Sequence, residues 1–178
     1  MKLKTIDLTL CGIFAAVLAI CSWIQIPGPV PFTLQTFGVF AALGLLGGKR
    51  GTISICVFLL LGAVGVPVFA GFKGGIGALF GATGGYLLGF LLSGLCVWFA
   101  EKQFGTSLVV FIGSVVIGLL LCYAFGTAWF VVVYTRANGA ISFGKALSLC
   151  VLPFLPFDAI KLALAVAVRQ SLRKYVPA

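Results

Sequence analysis

The sequence has no histidine and only three acidic residues, Asp7, Glu101 and Asp158, among 178. With so few candidate ligands and bases, neither a zinc centre nor a histidine-based triad can be assembled. Charge of either sign is scarce: 8% of residues are charged, where a soluble globular protein carries about 25%. There is too little polar surface to cover a water-soluble globule. The six cysteines, Cys11, Cys21, Cys56, Cys96, Cys122 and Cys150, contain no Cys-x-x-Cys pair and lie in or beside apolar runs. They read as small apolar packing residues. No Gly-x-x-x-x-Gly-Lys-Ser/Thr sequence is present, so Gly47-Gly-Lys-Arg-Gly51 reads as a tight turn rather than a phosphate cradle.

What is present is apolar, with hydrophobic residues making up 62% of the chain. The pattern predicts an all-α integral membrane protein in one domain, 1–178, with six transmembrane helices over 8–25, 33–48, 52–66, 83–100, 107–134 and 147–171. The first apolar run is too long, and lacks a cleavage site, for a removable signal, so it reads as a span. The net charge of +9 comes from basic residues at the ends of apolar segments, without the stripe that nucleic acid would require. Lys2, Lys4, Lys49, Arg50, Lys102, Arg169, Arg173 and Lys174 fall on one side, against Lys73, Arg136 and Lys145 on the other. The positive-inside rule then makes both termini cytoplasmic, with Glu101-Lys102 in an inner turn and Arg136 to Lys145 in an outer loop.

Two external loops are unusual. Gln25-Ile-Pro-Gly-Pro-Val-Pro-Phe-Thr-Leu-Gln35 cannot be regular helix, because proline removes donors and disfavours helix before it. Gln35 either points into a cavity or caps a helix. Nine glycines in 25 residues mark 62–86, interleaved with Phe69, Phe72, Phe80 and Tyr86. The aromatics argue against a solvated linker and leave two readings, a tight connection or a folded-in loop covering a ligand. In the first span, Gly12, Ala15, Ala16 and Ala19 form a small-residue stripe, suited either to internal packing or to docking of a separate membrane protein.

The last span opens with Pro153-Phe-Leu-Pro-Phe-Asp158-Ala-Ile-Lys161. Asp158 and Lys161, three apart, share a helix face. Ionisable groups at membrane depth cost roughly 2.5 to 3.5 kcal/mol each on insertion scales and usually serve a site or a pathway. The pair marks either a ligand site or a packing ion pair; acid–base chemistry by an intramembrane enzyme, a channel and a structural scaffold are the rival classes.

Val30-Pro-Phe-Thr-Leu-Gln35, Gly62-Ala-Val-Gly-Val-Pro-Val-Phe-Ala-Gly71, Gly81-Ala-Thr-Gly-Gly-Tyr86 and Pro156-Phe-Asp-Ala-Ile-Lys161, in that order, resemble the BioY family. These are the biotin-binding S components of energy-coupling factor (ECF) transporters. The resemblance implies biotin as transported ligand, no cofactor, a bacterial plasma membrane location, and partners in a transmembrane coupling subunit and two cytoplasmic ATPases. It departs from the family at Ala82, Phe157 and Leu87, the last standing where some members carry arginine. On this reading Asp158 accepts from the ureido N–H groups, and Lys161 donates to the ureido carbonyl or holds Asp158 ionised. Lys73 meets the valerate carboxylate, Gln35 and Tyr86 add polar contacts, and Phe72 or Phe69 forms an apolar wall. Gly74, Gly75 and Thr83 complete the expected substrate contacts. Ala15 and Ala19 resemble the motif by which such subunits dock on the coupling protein. An S component for another vitamin is the alternative.

Overall fold

The computed structural model describes residues 4–28 and 30–176. Lys2, counted above among the inner cations, and Pro29 of the proline loop lie outside the described residues. Helix α1 covers Thr5–Trp23. The Asp7 carboxylate accepts from the Lys4 backbone N–H at 2.8 Å, satisfying a donor that the helix start leaves open. Asp7 also pairs with Arg50 at 2.7 Å, fastening the start of α1 to the middle of α2, Gln35–Ala63.

Between these helices the proline loop forms a small antiparallel hairpin of β1 (Gln25–Ile26) and β2 (Phe32–Thr33), with Gln25 opposite Thr33. The chain is therefore not purely α. Prolines that forbid helix here leave extended backbone, and the hairpin satisfies part of its hydrogen bonding.

Helix α2 folds back on itself. Gly47 sits at φ +81°, a left-handed conformation that glycine adopts without strain. A Cβ added to Gly51 would stand 2.9 Å from Leu43 Cα, whereas eight residues of continuous helix would separate the two by about 12 Å. The arms 35–46 and 48–63 thus lie against each other. Gly48 presses on α4 (Gly84–Phe104): a Cβ there would stand 2.4 Å from Trp98 Cα, so no larger residue fits without backbone movement. Glu101 reinforces the contact by accepting from the Gly48 N–H at 2.6 Å.

Several predicted boundaries move. Glu101 and Lys102 do not turn but continue α4 to Phe104, where Gly105 ends the helix. Arg136 belongs to α5, Leu108–Asn138, and Lys145 to α6, Phe143–Cys150, which leaves only 139–142 as the connection. The last span is not one helix over 147–171. It divides into α6 and α7 (Leu155–Leu172), bent by 43°. Pro153 and Pro156 cause the break: proline lacks a donor and disfavours helix at the preceding residue, yet is tolerated in the first turn, where Pro156 stands.

By length and composition α1, α2, α4 and α5 can each cross a bilayer, and α6 with α7 makes a fifth candidate. This differs from six separate spans because the second and third are joined through Gly47. The outer faces are apolar, as lipid requires: Ile13, Ile117, Leu120 and Leu164 are all more than half exposed. Inside, Leu18 of α1 packs with Val39, Phe40 and Leu43 of α2 in the main core. Ala15 and Ala19 belong to the same core, only 1% and 5% exposed, which corrects their reading as docking residues. At 100° per residue the face that α1 turns outward carries Gly12, Ile13, Ala16 and Ile20 instead.

Candidate ligand-binding site

A cavity of about 700 Å³ opens where the β1–β2 hairpin, the 64–83 loop and the starts of α2, α4 and α7 converge. Its volume falls in the range of small-molecule sites. Most of the lining is apolar or backbone; Phe69, Ala78, Leu87, Phe90, Leu119 and Phe154 supply much of the wall.

The polar floor is built from three helices. Asp158 stands in the first turn of α7 and is 1% exposed. One carboxylate oxygen, Oδ1, accepts from Thr36 Oγ1 and from Lys161 Nζ, each at 2.8 Å. Its other oxygen, Oδ2, accepts from the Tyr123 hydroxyl at 2.5 Å. Lys161 is also buried; it donates to Thr36 Oγ1 at 2.9 Å and lies 4.6 Å above the Phe32 ring. A carboxylate offers about four acceptor positions and an ammonium three donors. Three partners on Asp158 and two on Lys161 therefore leave each with roughly one hydrogen bond for a ligand. The ion pair is compensated without being saturated.

Further capacity surrounds the floor. Gln35 is buried, lines the cavity, and its Nε2 has no hydrogen-bond partner. Of its two predicted roles, the placement favours the cavity. The Tyr86 ring lines the wall, but its hydroxyl is engaged with Thr127 Oγ1 at 2.9 Å. At the mouth, Lys73 is exposed, lines the cavity and forms no ion pair among the described residues.

The 64–83 loop is fastened from outside. Trp23 Nε1 donates to the Pro67 carbonyl at 2.8 Å, and the Trp23 and Phe72 rings stack at 5.1 Å. Phe72 sits at φ +56° and is 65% exposed. It therefore belongs to the outer clasp and not to the cavity wall, which corrects its reading. Phe69 takes the inner position, buried edge-on against Phe58. Gly74 and Thr83 line the cavity; Gly75 does not, and instead precedes the short helix α3, Ile76–Leu79.

Sequence reasoning thus placed Asp158, Lys161, Lys73, Tyr86, Gln35, Phe69, Gly74 and Thr83 around one cavity, and missed Thr36 and Tyr123. Tyr123 carried a signal: a phenol in the middle of an apolar span, away from the interface, needs a buried partner. Thr36 carried none beyond its neighbour Gln35.

A bundle of apolar helices, with a roofed cavity whose floor holds an unsaturated ion pair, defines a membrane-embedded receptor for a small polar molecule. Among the described residues the floor shows no nucleophile–base pair and offers donors and acceptors side by side. The chain belongs to the BioY family, whose model matches residues 1–178. It is 44% identical over 165 residues to the biotin transporter BioY of Thermotoga maritima, covering 92% of this chain and 93% of that protein. It is also 37% identical to the probable biotin transporter BioY of Pyrococcus horikoshii, over 96% of this chain and 98% of the other. The crystal structure of the S-component for biotin from an ECF-type ABC transporter matches with a TM-score of 0.81 at 32% identity, covering 94% of this chain and 90% of that one.

Proposed function

We propose that this protein captures biotin and serves as the substrate-binding subunit of an ECF-type transporter. It is a transport subunit and not an enzyme, and biotin is its ligand rather than a cofactor. Family membership supports the class, and the Asp158–Lys161 floor is the observation that carries the chemistry. Biotin's ureido ring bears two N–H donors and one carbonyl, which match the spare acceptor of Asp158 and the spare donor of Lys161. The bicycle's apolar faces match Phe69, Phe90 and Leu119. Lys73 at the mouth meets the valerate carboxylate, and the free amide of Gln35 supplies a further donor.

The finer assignments follow from the same reading. The arms of α2 count as two crossings, which with α1, α4, α5 and the bent α6–α7 pair makes six in a single domain of a bacterial plasma membrane. Both termini are cytoplasmic and the cavity faces outward. A transmembrane coupling subunit docks on the bundle, with two cytoplasmic ATPases supplying energy; the outward residues Gly12 and Ala16 of α1 offer it a close-packing surface. Tight capture demands that this complex stabilise an open state, since otherwise the ligand would remain trapped.

Calorimetric titration of the purified protein with biotin, thiamine and riboflavin tests the ligand. Saturable binding of biotin alone supports the assignment; preference for either other vitamin overturns it.

A further inference from the structure

The end of α7 remote from Asp158 carries a second cavity, a shallow one of about 460 Å³ that is widely open to the outside and that ligand capture does not use. It lies between the last turns of α7 and the start of α5, lined by Thr106, Leu108, Arg169, Gln170, Arg173 and Lys174. Three of these are cations and none is acidic. Arg169 anchors the group. Only 5% exposed, it donates from Nη2 to the Thr106 carbonyl at 2.7 Å and lies 4.5 Å from the Phe111 ring. Its Nε and Nη1 have no hydrogen-bond partner, and no carboxylate among the described residues forms an ion pair with it. Arg173 reaches the same Thr106 carbonyl at 3.4 Å.

Two guanidinium groups therefore share one neutral acceptor, and the buried one has no carboxylate in direct contact: Glu101 acts on it electrostatically but neither pairs with it nor lines the cavity. Such a charge is costly unless compensated, and the neighbouring cations add repulsion. An anion in the cavity relieves both, and the start of α5 adds its partial positive charge. The surroundings specify what kind of anion. Phe104, Val109, Leu172 and Tyr175 near this end are 74%, 81%, 47% and 72% exposed, so apolar surface borders the cationic cavity.

The geometry points to a binding site for an anionic phospholipid, its phosphate held by Arg169, Arg173 and Lys174 and its acyl chains lying along the exposed apolar residues. Basic pockets between membrane helices suit such headgroups. A soluble phosphate would satisfy the cations but leave the apolar border unused.

The full chain, purified in detergent and stripped of lipid, is titrated with phosphatidylglycerol, phosphatidylcholine and inorganic phosphate. Native mass spectrometry counts bound lipid, and thermal unfolding follows stability. Phosphatidylglycerol is expected to bind about 25-fold or more better than phosphatidylcholine, with each cation removed lowering the preference about fivefold. In the Arg173→Gln/Lys174→Gln variant the preference falls toward parity, while biotin titration of the same sample stays unchanged and reports an intact fold. Equal binding of the two lipids by the unaltered protein overturns the site, as does an undiminished preference in the variant. Stabilisation by inorganic phosphate equal to that by phosphatidylglycerol overturns the lipid and assigns the cavity to a soluble anion.

Discussion

The Tyr123 hydroxyl donates to Asp158 Oδ2 across 2.5 Å, joining the middle of α5 to the first turn of α7 beneath the cavity. Thr36 makes the corresponding bond to Oδ1 from the start of α2, so three helices are held together through one carboxylate. Tyr123→Phe leaves a buried acceptor without its donor, a loss of about 1 to 3 kcal/mol. Thermal unfolding in detergent should show this destabilisation, and biotin binding should weaken because the carboxylate is less firmly placed. A variant as stable as the parent would show that the bond contributes nothing.

Lys161→Met and Asp158→Asn separate charge compensation from ligand reading. Removing the ammonium strands a buried carboxylate, which costs about 3 to 5 kcal/mol. Removing both charges restores much of that stability, since neither partner is then left alone. Biotin binding behaves differently: each single variant should lose about tenfold to about a hundredfold, and the double variant should not recover. Calorimetry beside thermal unfolding checks this; recovery of binding in the double variant would reduce the pair to packing.

For Lys73 the informative comparison is between two ligands. Lys73→Gln removes the cation at the mouth, so biotin should bind roughly tenfold more weakly while its neutral carboxamide is unaffected. If both ligands lose equally, the lysine shapes the loop and does not read the carboxylate.

Much of this was legible in the residues themselves. Asp158 and Lys161 stood out because ionisable groups are rare in an apolar chain, and proline and glycine density marked the two loops that meet over them. The Gly47 reversal was visible as a turn, although its site within 47–51 and the helical state of Lys49, Arg50 and Gly51 were not. Phe72 went astray because sequence alternation cannot say which of two neighbouring aromatics faces inward; the left-handed backbone at Phe72 turns it onto Trp23. Ala15 and Ala19 failed for a related reason. Small residues suit close packing inside the protein as well as outside it, and only the position of α2 decides which.

Gly48→Ala tests the hairpin of α2 directly. The added methyl would stand 2.4 Å from Trp98 Cα, and backbone cannot rotate aside as a side chain can. Displacement of α4 should cost about 1 to 3 kcal/mol, the usual range for overpacking. Thermal unfolding measures it, with Gly12→Ala as the control, since a Cβ there meets nothing within 4 Å. Equal effects at the two positions would remove the close approach as the cause.

Trp23→Ala acts on ligand residence. Trp23 holds the 64–83 loop by a hydrogen bond to the Pro67 carbonyl and by its stack on Phe72, contributions of about 0.5 to 1.5 kcal/mol each. Neither group lines the cavity's floor, so ureido recognition at Asp158 is untouched. The loop bears Phe69, Gly74 and Lys73 on the cavity side, so loosening it favours an open form without removing a floor contact. Bound biotin should then leave about tenfold faster, while association changes little, because the pocket it enters is the same. Trp23→Phe keeps the stack and loses only the hydrogen bond, so its dissociation rate should fall between the two. Washout of radiolabelled biotin gives these rates. An unaltered rate in Trp23→Ala would mean that the clasp does not limit escape, and that the loop is held by its own backbone bonds, such as Phe69 N–H to the Lys73 carbonyl at 2.9 Å.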